Sequence, residues 1–281
     1  MNRFSVPSIA FVALALTSVT RANDAAAFRF DFTLDAWFPR LVGNVPIGPG
    51  ATPPSVSDLG LHDSEVAFVG TARATWDRLF VEGRGFSFST EGELPLQQNS
   101  ADWWSASVDV GFALWRPFDA TPSPWSESTP RAENVAGDGA QRLSLELAPL
   151  IGFTWDQVDI GSTTIATGNR SAVDGGWASI RFGGEVNFGL HTKDLISFIE
   201  SVDLHVDFSV GPSFGATGDG SGVGDLWYVN IGLRVFFTPN IGAHIGYRLV
   251  EADFAQDSNG SSDDPLDIGL QGLVAGLAIR F

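Results

Sequence analysis

The sequence predicts an all-β chain: a transmembrane, antiparallel, up-and-down β-barrel of about ten strands, with eight and twelve as the neighbouring counts. Three observations predict it. Ten segments alternate apolar with polar residues at a period of two, the pattern of strands whose two faces meet different surroundings. They run roughly 10 to 15 residues, where soluble strands centre near 5 or 6 and a tilted membrane-crossing strand needs about 9 to 11. Eight of the nine tryptophans (Trp37, Trp76, Trp103, Trp104, Trp115, Trp155, Trp177 and Trp227) fall where these segments end, as rings do in girdles at membrane surfaces.

Composition narrows the classes. The 281 residues include no Cys, one Met and 22 Phe, and the net charge is −17. Without Cys there are no disulfides, thiolate metal sites or Cys nucleophiles. So acidic a chain lacks the basic footprint that nucleic acid requires, and its single lysine, Lys193, makes no polybasic surface for anionic lipid. No later run reaches 18 apolar residues, so no helix is expected to span a membrane.

Residues 1–22 read as a secretory signal peptide: Arg3 in a basic start, an apolar run from Ile9 to Val19, and Thr20-Arg21-Ala22 at the cut, with Ala25 to Ala27 as alternative cleavage points. Cleavage removes two arginines and no acid, leaving the domain at 28–281 more acidic still.

The segments follow in order. Phe28 to Phe38 sets Phe28, Phe30, Phe32, Leu34, Ala36 and Phe38 against Arg29, Asp31, Thr33, Asp35 and Trp37. A Gly/Pro-rich loop, 43–63, precedes a second strand ending at Trp76, and Asp77-Arg78 makes a tight turn into a third, Leu79 to Ser89. That third strand is the least regular, because Phe80, Phe86 and Phe88 share a face with Glu82 and Arg84. The fourth runs from Asp102 to Leu114, and the long segment 116–140, with four prolines, is expected to be irregular and leaves room for a further hairpin. The fifth and sixth span Gln141 to Trp155 and Trp177 to Leu190, and a helical turn is expected over 191–199. The seventh, Glu200 to Phe214, alternates most cleanly. A Gly-rich loop, 215–225, leads to the eighth, Trp227 to Phe237. Thr238-Pro239-Asn240 turns into the ninth, Ile241 to Val250, and an acidic loop, 251–267, into the last, Ile268 to Phe281. Connections after the odd-numbered strands are long and polar, as loops on an outer side should be.

The last strand, IGLQGLVAGLAIRF, ending on an aromatic residue, resembles the final strand of bacterial outer-membrane β-barrels. The stretch FTLDAWFPRLVGNV, 32–45, is similar to the opening strand and loop of small barrels of the OmpA/OmpW type. The resemblance implies residence in the bacterial outer membrane, outer-membrane lipid and the barrel-assembly machinery as partners, and Phe281 as the end that this machinery reads. It also implies a non-enzymatic role, structural or as a narrow passive pore, without cofactors.

Within such a barrel the polar face becomes the lumen. Arg73, Arg84, Arg181, Glu185, Asp203, His205, Asp207 and Arg234 are the expected lining groups, paired by opposite charge. A second reading is an outer-membrane lipase or omptin-like protease with a rim site, for which His62, beside Asp63 and Glu65, is the histidine nearest the rim. A third is a soluble secreted β-sandwich binding module, because a sandwich also alternates. Gly211-Pro212-Ser213-Phe214-Gly215 matches the G-x-S-x-G pattern, but a nucleophile elbow needs a following helix, and Gly-rich 216–224 does not supply one. His205 lies too far along the same strand to reach Ser213. Asp257-Ser258-Asn259-Gly260 is half a calcium loop whose twelfth position is Ile268 where Glu is required. Divalent cations at Asp263, Asp264 and Asp267 remain a possible partner.

Overall fold

A computed structural model describes residues 28–45, 53–114, 143–193, 196–217, 220–257 and 266–281. Ten strands follow in chain order: β1 (Phe28–Asn44), β2 (Ala67–Trp76), β3 (Leu79–Leu94), β4 (Gln97–Phe112), β5 (Leu143–Thr164), β6 (Arg170–His191), β7 (Ser201–Thr217), β8 (Gly220–Phe236), β9 (Ile241–Asp257) and β10 (Leu266–Arg280). Each pairs antiparallel with its neighbours in sequence, and β1 pairs with β10 from Asp31↔Arg280 to Asn44↔Asp267. The sheet therefore closes without a free edge. Closure makes the count ten, not eight or twelve, and it excludes the two-sheet sandwich.

The registers fix the barrel's shape. Stepping from partner to partner, Thr33 leads through Thr71, Arg84, Ser107, Thr154, Ser179, Ser213, Gly224, Phe254 and Leu266, and back to β1 at Val45, one step beyond Asp267↔Asn44. That is a shift of twelve residues for ten strands. With ordinary strand spacings it corresponds to a tilt of about 40° and a backbone cylinder about 20 Å across. Each residue then climbs roughly 2.5 Å along the axis.

Both Phe28 and Phe281 lie at the lower rim, bonded to each other's strands through Phe281 N→Phe30 O at 2.8 Å and Phe30 N→Phe281 O at 3.2 Å. The tight turns expected at Asp77-Arg78 and 238–240 are at this rim. Asp77 takes φ 52°, and Thr238 Oγ1 accepts from the Asn240 and Ile241 amides. Among the described residues of the turn 192–200, Ile196 N→Thr192 O and Ile199 N→Ile196 O are helix-like bonds, but no helix is assigned. Segments 1–22 and 116–140, and with them Trp115, lie outside the described residues.

The upper rim differs from the expectation of long polar loops. Residues 90–101, 156–177, 215–217, 220–225 and 251–257 continue the ladders, with pairs such as Glu91↔Ser100, Asp159↔Asp174, Gly215↔Gly222 and Asp225↔Asp253. These segments look like loops in sequence because the polarity of the two faces exchanges there. In β1, Leu34 and Phe38 point out and Asp31 and Asp35 in; further up, Arg40 points out and Trp37 and Leu41 in. In β9, Ile245 points out and His244 in; further up, Glu251 and Asp253 point out and Val250, Ala252 and Phe254 in. In β4 the exchange falls between neighbours, with Trp104 42% exposed and Trp103 2%.

Candidate functional site

The outer surface of the lower barrel is a belt. From Phe28, Trp76, Phe112 and Phe281 below to Phe38, Trp104, Trp155 and Trp227 above, the outward positions hold no Asp, Glu, Lys or Arg among the described residues. By the registers it is about 11 residues tall, roughly 28 Å, which matches a bilayer's hydrocarbon layer. Trp76, Trp104, Trp155 and Trp227 rim it at 59%, 42%, 46% and 48% exposure. Trp37, Trp103 and Trp177, expected in the girdle, are instead inside the barrel at 0%, 2% and 0%. Their strand parity already places them on the charged face, and burial with other rings outweighs an interfacial position there.

Inside the belt the lumen is a charged network. Arg73 Nη1 donates to both carboxylate oxygens of Glu185 at 2.7 Å and lies within 4 Å of Glu82, and its Nη2 lies within 4 Å of Glu146. Arg84 Nη2 donates to Glu82 Oε1 at 2.5 Å and to Asp207 Oδ2 at 3.5 Å. Arg181 joins Asp109 and Ser209, each at 2.6 Å. His205 has an oxygen acceptor at each ring nitrogen, Asn187 Oδ1 at 2.6 Å and Asp207 Oδ2 at 3.0 Å. Nearer the lower rim Arg280 bridges Asp31 (3.3 Å) and Asp203 (3.1 Å), and Arg234 stands opposite Asp203 in register. All eight expected lining residues therefore project into the lumen. Sequence reasoning already set Asp31 and Asp35 on the luminal face, but it missed their partners, His244 for Asp35 (2.9 Å) and Arg280 for Asp31, and the Tyr228 ring beneath Arg84 at 4.2 Å.

Small residues make room for these groups. A Cβ at Gly152 would overlap the Asp109 carboxylate, so glycine is required there for the Asp109–Arg181 pair to lie across β5. Buried pairs of this kind contribute little net stability, because desolvation offsets their attraction, but removing one partner leaves an uncompensated charge. Their structural effect is to fill the lumen with charges of opposite sign, although several buried atoms, among them Arg84 Nη1 and Asp203 Oδ1, have no hydrogen-bond partner among the described residues.

Above the network the lumen is apolar. Trp37, Phe86, Trp103, Trp177 and Phe254 form a chain of ring contacts across it, with centroids 5.1, 6.2, 6.0 and 5.8 Å apart. Phe86 and Phe88 thereby account for the irregular face of the third strand, and Phe80 lies beneath the Arg73 guanidinium at 3.7 Å. Trp103 Nε1 donates to Asp156 Oδ1 at 3.0 Å.

The described part of the connection after β1, residues 53–66, closes this chamber. Val45 N→Pro54 O and Val56 N→Gly43 O fold it back onto the end of β1, and Val56, Leu59 and Leu61 are buried in the same cluster as the rings. Asn99 Nδ2 donates to Leu59 O at 2.7 Å, and a Cβ at Gly92 would strike the Gly60 carbonyl at 2.6 Å, so the plug rests directly on β3 and β4. Its turn is held by Asp58, which accepts from the Ser55 hydroxyl at 2.6 Å and the Ser55 amide at 3.0 Å; these bonds hold its carboxyl below the usual range.

Among the described residues the Ser and His candidates do not come together as a hydrolytic constellation. Ser213 shares a hydrogen bond with Ser179 at 2.7 Å, and His62, half-exposed on the plug, approaches only Asp63 at 3.9 Å. Glu65 accepts from Thr90 at 3.2 Å. Among the described residues no three His, Asp or Glu side chains converge to hold a metal ion, and Asp263 and Asp264 lie outside them. On the outer surface above the belt Asp225, Asp253 and Asp267 stand opposite one another on β8, β9 and β10. Partial burial, then the neighbouring Asp253, pushes the Asp267 carboxyl up.

An uncharged belt of bilayer height around a closed sheet, with charges confined to the lumen, decides the class. The fold is that of an outer-membrane-type β-barrel. No family model and no curated protein matches the chain. Among solved structures it is similar to Ail, the attachment invasion locus protein of Yersinia pestis, at 11% identity over 92% of this chain and 100% of that one, TM-score 0.32. It is also similar to neisserial surface protein A (10% identity, 92% and 100% coverage, TM-score 0.30) and to the toluene transporter TodX of P. putida (9%, 92% and 90%, 0.29). Likeness at this level adds nothing to the barrel's own geometry.

Proposed function

We propose that the chain is a non-enzymatic, closed barrel of the bacterial outer membrane, with a structural role, carrying a rigid acidic head above the bilayer. The observation that carries this reading is that the lumen is filled twice, by the ion-paired network at belt level and by the plugged aromatic chamber above it. Ten strands enclose too little space for a wide channel, since aqueous pores come at about sixteen. The exchange of face polarity supports the head: above the belt the barrel is built as soluble β-barrels are, apolar within and polar without. Outer-membrane lipid and the barrel-assembly machinery are the partners this reading implies, the latter engaging Phe281, which is 64% exposed at the lower rim. Residues 1–22 serve export.

The test is paired. Refolded chain in detergent should migrate faster unboiled than boiled, and planar bilayers containing it should stay silent. Large, stable conductance steps of porin size would sink the closed-barrel reading. A soluble fold that needs no detergent would sink the membrane assignment.

A further inference from the structure

Arg73, Arg181, Arg248 and Arg280 are the arginines buried in the lumen among the described residues. Arg73, Arg181 and Arg280 each hold a carboxylate, at 2.7, 2.6 and 3.1 Å. Arg248 holds none. It is 2% exposed, its Nε and Nη1 have no hydrogen-bond partner, and no carboxylate among the described residues comes within ion-pairing distance of it. The register gives the reason. Arg248 stands in the row Asp207↔Asn230↔Arg248↔Gly272. Asp207, the carboxylate of that row, is taken: its Oδ2 faces Arg84 Nη2 at 3.5 Å, His205 Nε2 at 3.0 Å and Asn230 Nδ2 at 3.3 Å. Gly272, on the other side, has no side chain to offer.

Around Arg248 donors outnumber acceptors. Its Cζ lies 5.8 Å from the Trp37 ring centroid and 6.0 Å from that of Tyr228, whose ring also carries Arg84 at 4.2 Å and Arg181 at 5.3 Å. Trp37 Nε1, the Tyr228 hydroxyl, Arg84 Nε and Nη1, and Arg181 Nε are likewise buried without a partner. The unpartnered acceptors on neighbouring positions are Asn230 Oδ1 and Asp35 Oδ2, and neither bonds Arg248. A neutral molecule can meet such N–H donors but leaves the guanidinium's charge uncompensated away from bulk solvent, where that is most costly. A counter-ion meets both needs. We propose that the Arg248 corner of the lumen binds a small monovalent anion, of halide or formate size. One cation without a counter-ion sets the charge, and the Trp37–Phe86 ring contact above it, 5.1 Å between centroids, limits the size. The site rests on the closed-barrel reading, because in an open pore the same arginine would be solvated by the channel. Closure also encloses the anion, so it must be offered during refolding.

The test refolds the natural chain in detergent at fixed ionic strength, with bromide exchanged for the bulky anion gluconate, and reads stability by denaturant unfolding. An anion bound by the folded barrel alone should raise the folded-to-unfolded ratio about tenfold for each tenfold rise in bromide above its dissociation constant. Arg248→Met, of similar length and uncharged, should show no such rise. Crystals grown in bromide should place an anomalous-scattering peak against the Arg248 guanidinium, a reading that needs no variant to fold. A rise with formate and not with bromide, again lost in Arg248→Met, assigns the site to a small carboxylate instead of a halide. Equal rises in the natural chain and in Arg248→Met are an ordinary salt effect and overturn the inference. A flat response to both anions and no bromide peak, in a barrel that keeps its heat-dependent mobility and stays silent in planar bilayers, overturns this inference alone. Steps of porin size overturn the closed-barrel reading and this inference with it.

Discussion

Arg73 shows what a lumen residue does in this barrel. Its guanidinium is 5% exposed and faces Glu185, Glu82 and Glu146, reached from β2 across the lumen to β3, β5 and β6. Arg73→Met keeps the side chain's bulk but leaves Glu185 without its two-pronged cation inside the barrel. The expected cost is about 3–5 kcal/mol, read by denaturant unfolding in detergent. Arg73→Met combined with Glu185→Leu should recover much of that loss, because a matched apolar pair of similar volume replaces a buried ion pair at little net cost. A double variant as unstable as the single one would mean that Arg73 acts by shape rather than by charge. The same logic is how the sequence assigns mid-strand charges such as Arg73 and Glu185 to the inward face. A charge in mid-strand on a closed transmembrane sheet has only the lumen to face. Their partners were less legible, because pairing across the lumen depends on the twelve-residue shift, which no local pattern records.

At the scale of elements, the lower part of every strand was readable, whereas the upper part was missed except in β2 and β10, which were read over almost their whole length. Ile241 to Val250 stands out as a strand because Ala243, Ile245, Tyr247 and Leu249 share one face. At Val250 the apolar residues move to the other parity, and Val250, Ala252 and Phe254 between acids look like the start of a loop. A search for one continuous apolar face ends each strand at the membrane surface, although the ladder continues. Trp103 and Trp104 fall at that exchange, which is why position along the strand alone gave Trp103 the wrong surroundings. The plug, too, was hidden: Val56, Leu59 and Leu61 are scattered among polar residues, and only the chamber beneath makes them core. Its turn depends on Asp58. The carboxyl is held below its ordinary range by Ser55, so its contribution is present above that range and is lost as pH falls through the lowered value. Amides of Leu59 and Leu61 should therefore exchange faster, relative to a β5 amide such as Ile151, at acid pH than at neutral pH once intrinsic rates are removed. Asp58→Asn should show the faster exchange already at neutral pH. Uniform protection across pH in both proteins would show that the apolar contacts alone hold the plug.

For the whole molecule, the two fillings act in series. An ion entering from above meets the plug and the ring contacts from Trp37 to Phe254. One entering from below meets Arg280 with Asp31 and Asp203, then the Arg73, Arg84 and Arg181 pairs. Opening one barrier leaves the other, so conductance should respond to combined changes and not to single ones. Replacing residues 53–66 with a short Gly/Ser linker should leave planar bilayers silent, as should Arg73→Ala with Glu185→Ala in the plugged barrel. The aromatic layer must be opened as well, so the decisive variant joins the linker and both lumen alanines to Trp103→Ala and Trp177→Ala, provided it retains heat-modifiable mobility. Small, flickering steps are expected from it and from none of the partial variants. Steps from the linker variant alone would mean that the charged network is wet enough to pass ions, and the plug would then be the only gate. Silence from the folded combined variant would place the barrier in the remaining lumen charges, among them the Arg84–Asp207 and Arg181–Asp109 pairs, and would make the barrel closed by its strand number rather than by its plug.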